Sequence, residues 1–221
     1  MENNMRETIL VLDFGGQYNQ LIARRVRECG VYCEVRPFTM TAEEIRRMAP
    51  KGIILTGGPN SVYDMTSPHG DPAIFDMGIP VLGICYGAQL MAWTLGGKVA
   101  TAPVSEYGRT EVTILKKTGL LADVADETVT WMSHTDYIEK MPDGFEATAC
   151  TPVCPVAAME NEEKKLYGLQ FHPEVTHSEE GMKMLSAFVY RSCGCSGDWR
   201  MNSFVEETIS AVRSKVGSGK V

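Results

Sequence analysis

The sequence predicts an α/β fold: a mostly parallel central sheet with helices on both faces, plus a small antiparallel excursion. Three observations predict it. Over residues 8–95, short apolar and β-branched runs alternate with segments of helical period, in the order strand, helix, strand, helix, strand, strand, helix. From Lys98 to Tyr167 the helical period fades, and short extended runs bounded by turn residues take over. The chain then returns to an apolar run and a last amphipathic segment, all within 221 residues of 44% hydrophobic content, enough to bury one core.

The first strand is Thr8 to Leu12, a β-branched and apolar run. Tyr18, Leu21, Ile22, Val26 and Cys29 then fall on one face of a helix that Gly30 stops, and Val31 to Val35 resumes extended. Thr41 with Glu44 forms a capping box for a second helix through Met48. Gly52 to Thr56 is the next buried strand, followed by the loop Gly57-Gly-Pro-Asn-Ser61. Ile79 to Ile84 is a further strand, and Gln89 to Leu95 a helix-forming stretch. The excursion should carry strands at Glu111–Leu115, Thr128–Trp131, Glu146–Cys150 and Val156–Glu160, after which Leu166–Phe171 rejoins the main sheet. A core helix from about Glu179 to Tyr190 turns Met182, Leu185, Phe188 and Val189 inward. Val205, Ile209, Val212 and Val216 then repeat at helical spacing, so residues 202–216 should form an amphipathic helix. Its stripe is free to meet a partner or to fold back on this domain. The domain division expected is 1–199 for the globular unit and 200–221 for a linker helix and tail.

Composition narrows the function classes. A net charge of −7 argues against a dedicated nucleic-acid surface. No apolar run approaches the roughly 18 residues of a membrane span, and the N-terminus lacks the apolar core of a signal peptide. A cytoplasmic protein with reduced thiols is the expectation. Seven cysteines leave one over in any disulfide framework, and the pairs Cys29/Cys33, Cys150/Cys154 and Cys193/Cys195 do not have the spacing of common zinc sites, so no metal is expected.

Gly83-Ile84-Cys85-Tyr86-Gly87 has the glycine spacing of a nucleophile elbow, with cysteine in the place of serine. The preceding strand and following helix should put the thiol at a strand-to-helix turn, where a helix N-terminus favours thiolate, the attacking form. A buried core cysteine is the plain alternative. A second strand-like run, Tyr167 to Glu174, ends in His172-Pro173-Glu174. Residues two apart in extended chain share a side, so Glu174 can hold the His172 imidazole, completing the nucleophile, base and orienter of a Cys-His-Glu triad. Of the four histidines only His172 has both a strand behind it and a carboxylate two residues on; His69 lies in a Pro/Gly/Asp loop, and His177 should sit at the surface. Backbone N–H groups at Tyr86 and in the Gly57-Gly58 loop are candidates for an oxyanion hole, although Gly57-Gly58-Pro59 also reads as an ordinary strand-ending turn.

Gly83 to Gln89 together with His172-Pro-Glu174 resembles the class I (triad) glutamine amidotransferases, and the resemblance covers nearly the whole chain. Leu12 to Arg27, Trp131 to Asp136 and Cys193 to Trp199 are similar to the branch of that family joined to an ATP-pyrophosphatase synthetase domain. The resemblance implies a class I glutamine amidotransferase-like fold and hydrolysis of L-glutamine to glutamate and ammonia. Cys85, His172 and Glu174 would be catalytic, Gly58 and Tyr86 the oxyanion donors, and Gly57, Gln89, Ser133 and Asp136 the glutamine-binding residues. Asp136 would face the substrate ammonium, a role that its residue type leaves as open as capping a helix or turn. No cofactor is implied in this domain; ATP and Mg²⁺ would serve the synthetase domain, which converts XMP to GMP in purine biosynthesis. That domain should follow about where Gly217-Ser-Gly-Lys-Val221 ends, which leads to the expectation that it has been excised, and the full-length enzyme would be a homodimer. Glu106-Tyr-Gly-Arg109 resembles a segment at the rim of the family's active site, with no role assigned. The chain departs from the commonest pattern at Gly16 and Asn19, neither of which is expected to carry chemistry. The rivals are the amidotransferase domain of another synthetase, a cysteine hydrolase of the same fold acting on γ-glutamyl chains, and a silent regulatory module, the last hard to reconcile with an intact triad.

Overall fold

The computed structural model describes residues 6–217, apart from the side chains of residues 202–203, 206–208 and 211; the tail beyond Gly217 and the first five residues of the N-terminal segment lie outside the described residues. Among the described residues, nine strands form one sheet in the order β2-β1-β3-β4-β9-β8-β7-β5-β6. Its first half is parallel: β1 (Thr8–Asp13), β2 (Tyr32–Pro37), β3 (Gly52–Leu55), β4 (Val81–Ile84) and β9 (Leu166–Leu169). The other half is antiparallel: β8 (Ala158–Asn161), β7 (Glu146–Cys150), β5 (Lys98–Ile114) and β6 (Glu127–Lys140).

The excursion predicted from sequence is therefore a continuation of the main sheet, and two of its strands are far longer than the runs Glu111–Leu115 and Thr128–Trp131. Pro103 and Gly108 hide β5 from a propensity reading. The strand survives because it pairs with β6 along most of its length, with register shifts at Lys98/Val99 and at Thr101/Glu106.

Side-chain alternation sends Ile9 and Val11 to one face and Leu10 and Leu12 to the other, so both faces need cover. Helices α1 (Asn19–Glu28) and α4 (Gly181–Ala187), the latter prolonged by a π-helical turn at Phe188–Ser192, cover the first. Helices α2 (Ala42–Met48) and α3 (Tyr86–Thr94) cover the second. Thr41 and Glu44 make the expected capping box at α2. On α1 the buried residues are Ile22, Ala23 and Val26, and on α4 Gly181, Met184, Leu185 and Ala187; Leu21 and Met182 sit at the margins instead. Helix α3 begins directly after Cys85, three residues before the predicted start at Gln89, because the elbow leaves no room for a longer turn.

Helix α5 (Met201–Val216) leaves Val205, Ile209 and Val212 45%, 45% and 54% exposed, so its stripe is not folded back on the core. Near its start, Phe204 stacks on Tyr32 with ring centroids 5.5 Å apart, beside Trp199. Among the described residues no helix is long and apolar enough to cross a membrane. All seven cysteines are free thiols.

Candidate active site

Cys85 occupies the turn between β4 and α3 with φ 51° and ψ −107°. A side chain in that region costs of order 1–3 kcal/mol, so the surrounding contacts must impose it. They do so through close approach on both sides. A Cβ on Gly83 would lie 2.6 Å from the Ala88 nitrogen, and one on Gly87 would lie 2.4 Å from the Leu55 carbonyl oxygen. The Cys85 N–H donates to the Leu169 carbonyl at 2.7 Å, which ties the turn to the end of β9.

Just past the end of β9, the chain delivers His172. Its Nδ1 lies 2.8 Å from Glu174 Oε1, both side chains are buried, and the second Glu174 oxygen has no hydrogen-bond partner among the described residues. Burial by itself lowers the basicity of the His172 ring; hydrogen bonds to Cys85 and to Glu174 outweigh it and raise the ring to about 10. The unpartnered carboxylate oxygen acts in the same direction, since an isolated buried anion needs the proton beside it. Ser178 braces this strand end: its hydroxyl donates to the His172 carbonyl at 2.5 Å and accepts from the Trp131 N–H at 3.0 Å, while the His172 N–H reaches the Trp131 carbonyl at 2.9 Å. Tyr18 sets its ring edge-on to His172 at 5.3 Å, and Arg25 donates to the Glu174 carbonyl.

Cys85, His172 and Glu174 open on a cleft of about 510 Å³ whose wall also includes Gly57, Gly58, Gln89, Ser133 and Asp136. Every residue anticipated for catalysis or glutamine binding is thus in one wall, and Tyr86 adjoins it as the first residue of α3. Its N–H has no acceptor within its own helix, as for any first-turn residue; its ring packs 5.7 Å from Phe14 and its hydroxyl donates to the Pro68 carbonyl. Gly57 lies against the imidazole: a Cβ there would sit 3.1 Å from His172 Cε1. Gly16 also borders the cleft, where a Cβ would meet the Gly57 carbonyl oxygen at 2.5 Å, so the position set aside from sequence packs directly on the glycine loop.

Asp136 is a strand residue, which removes the capping alternative. Its carboxylate accepts hydrogen bonds from the Ser61, Tyr63 (3.0 Å) and Thr101 (3.2 Å) hydroxyls. Gln89 is buried and its Nε2 donates to the Asp136 carbonyl at 2.7 Å and to Gln170 Oε1 at 3.2 Å. Gln170 was missed from sequence. It stands two residues before His172 on the same side and donates to Cys85 Sγ at 3.8 Å, so the period-two rule that found Glu174 would have found it too. Ser61, Tyr63 and Thr101 carried no sequence signal, because only the fold brings the 61–63 loop and β5 to Asp136 on β6. His69 and His177 are exposed, His69 against the Val62 carbonyl and His177 with its ring centroid 4.9 Å from that of Trp131, tilted by 30°. His134 is buried beside Glu106.

A strained cysteine at a strand-to-helix turn, an imidazole oriented by a carboxylate and a polar cleft suit nucleophilic attack on a carbonyl, with proton transfer by the imidazole. The family described as glutamine amidotransferase class-I matches residues 10–192. A protein named GMP synthase (glutamine-hydrolyzing) from Clostridium botulinum is 66% identical over 98% of this chain, and one of the same name from Lachnospira eligens is 57% identical over 98%. The chain spans 42% and 41% of the length of those two relatives. Among solved structures, a Thermoplasma acidophilum protein described as a subunit of GMP synthase is 28% identical with a TM-score of 0.78, covering 92% of this chain and 98% of its own. A Thermotoga maritima glutamine amidotransferase shares the fold at 18% identity and a TM-score of 0.68, covering 86% of this chain and 99% of its own.

Proposed function

From a chain that belongs to the class-I glutamine amidotransferase family, we propose a glutaminase that hydrolyses L-glutamine and supplies its ammonia to a synthetase domain converting XMP to GMP. The observation that carries the chemistry is the strained Cys85 turn facing an imidazole that Glu174 holds at 2.8 Å.

In this reading the Cys85 thiolate attacks the side-chain carboxamide carbon of glutamine, and the oxyanion that forms is met by the N–H groups of Tyr86 and Gly58. His172, protonated at the start, gives its proton to the departing nitrogen; the C–N bond breaks and ammonia leaves, with the γ-glutamyl group held as a thioester on Cys85. The ring, now neutral, takes a proton from water as it attacks the thioester, and glutamate departs as the sulfur regains its charge. Asp136 faces the substrate ammonium, with Gly57, Gln89 and Ser133 completing the glutamine site. These side chains and backbone groups account for every proton and electron pair in the hydrolysis, so we assign this domain no cofactor; ATP and Mg²⁺ belong to the synthetase domain.

The partner in this proposal is the ATP-pyrophosphatase synthetase domain of the same full-length protein, acting in a cytoplasmic homodimer. Residues 1–199 form the glutaminase unit and 200–221 the lead into that domain. The exposed stripe of α5 and the 41–42% span of the relatives support it.

Two measurements test the reading. Mass spectrometry after incubation with a glutamine-like diazo ketone should find a single adduct on Cys85, lost in Cys85→Ala; an adduct elsewhere, or normal turnover in Cys85→Ala, refutes the nucleophile. Glutaminase activity should be slow alone and rise when a relative's synthetase domain, ATP, Mg²⁺ and XMP are supplied together. Full activity that does not respond to them refutes the coupling.

A further inference from the structure

Glu106 and His134 stand opposite each other on β5 and β6, with side chains 8% and 2% exposed. A bulge brings them together. Thr101 is in register with Asp136 and Glu106 with His134, so four residues of β5, 102–105, are spent against Thr135 alone. On β6, strict alternation turns Met132, His134, Asp136 and Ile138 to the buried side, which places two polar residues in the middle of an apolar face.

The partners of the pair fix where its protons stand. His134 Nδ1 lies 3.0 Å from the Asp136 carbonyl oxygen, which only accepts, so Nδ1 carries a hydrogen. A neutral imidazole has one N–H, which would leave Nε2 a bare lone pair 3.1 Å from Glu106 Oε2. Two lone pairs at that distance, buried from water, repel unless a proton lies between them. With the proton on nitrogen the pair is imidazolium and carboxylate; with it on oxygen, imidazole and carboxylic acid. Either way the pair holds one extra proton and is neutral overall. Glu106 Oε1 accepts from Thr151 Oγ1 at 2.8 Å, so no position in the pair is left open. The Asp136 carbonyl that His134 grips is the one that also accepts from Gln89, and Gln89 continues through Gln170 to the Cys85 sulfur.

We propose that Glu106 and His134 are positioning residues whose shared proton fixes the Asp136 carbonyl, and through it the Gln89 and Gln170 amides and the Ser133–Asp136 wall of the glutamine site. The functional part rests on the glutaminase reading above; the proton does not.

The proton is tested first and without activity. Long-range ¹H–¹⁵N spectra of the four histidines at neutral pH, assigned by single replacements, should show His134 protonated at Nδ1. A neutral ring protonated at Nε2 overturns the proposal. So does stoichiometric zinc uptake that Glu106→Gln abolishes, since Glu106, His134 and Cys154 donor atoms all lie within 4.8 Å of one another and a metal would replace the proton. The coupling to the site is tested by Glu106→Gln against Glu106→Ala. The glutamine amide donates to Nε2 and its oxygen accepts from Thr151, so this variant should keep KM for L-glutamine within about twofold, with His134 a neutral Nδ1–H ring. Glu106→Ala should raise KM about tenfold or more with a smaller change in kcat, and slow diazo-ketone labelling of Cys85 in parallel. Equal losses in the two variants, or a loss confined to kcat, refute positioning of the substrate wall. If Glu106→Ala does not fold, the tautomer and Glu106→Gln still decide, because loss of the glutamine site in a folded Glu106→Gln is then itself the refuting result. Wild-type protein that hydrolyses no glutamine strikes the proposed function and leaves the His134 spectrum to be judged separately.

Discussion

At Cys85 the sequence asks an L-residue to take a backbone conformation suited to glycine, and the close contacts at Gly83 and Gly87 enforce it. At an ordinary site alanine is more stabilising than glycine by about 0.5–1 kcal/mol. Here the order should reverse, Cys85→Gly exceeding Cys85→Ala by about 1 kcal/mol in chemical denaturation, as strain is released; the usual order would show that the turn carries none. His172 offers a second measurement. Because hydrogen bonds to Cys85 and Glu174 outweigh burial, its ring should titrate near 10 in NMR, and Glu174→Gln should bring that midpoint down. A folded-state value above the unfolded 6.5 means that this pairing contributes stability fully below pH 6.5, and that the contribution is lost as pH rises through about 10. A wild-type midpoint at the ordinary histidine value would refute the orientation by Glu174.

Among the elements, the strand end carrying His172 depends on a brace from outside itself. Ser178→Ala removes a bond to the His172 carbonyl and one from the Trp131 N–H, and should cost about 1–2 kcal/mol of stability. Glutaminase activity should fall further than that loss explains, since the imidazole loses its anchor; Thr41→Ala, a cap remote from the cleft, should cost about 1 kcal/mol and leave activity unchanged. Equal activity in the two variants at matched stability would deny the brace a role. Helix α5 tests the opposite case. Its exposed stripe should tolerate Ile209→Asp with no change in melting temperature or basal glutaminase, and a lowered melting temperature would place that stripe against the core after all.

Over the whole molecule, the parallel half of the sheet supplies Cys85 and His172 from adjacent strands, and the antiparallel half supplies Asp136 and the Glu106–His134 pair. The first half is enclosed by helices on both faces, while the arm formed by β5 and β6 exposes residues 103–105 and Tyr107. Among the strands, hydrogen exchange should therefore be slowest in β1, β3, β4 and β9 and fastest in residues 101–109. Protection of that arm equal to the central strands would refute this division of stability.

What the sequence determined by itself is local in origin. The elbow glycines flank their cysteine, Glu174 follows its histidine by two residues, and the helix stripes and the capping box are patterns within a dozen positions, so short-range sterics and periodicity are enough to read them. Family resemblance added Gln89, Ser133 and Asp136, which the fold brings into the same cleft. Tertiary structure alone decided the lengths of β5 and β6, the hydroxyls gathered on Asp136 and the pairing of Glu106 with His134. Each of these depends on the bulge at residues 102–105 or on segments far apart in the chain. A bulge shifts the register of every residue beyond it, and no pattern within one strand says where the partner strand will absorb that shift.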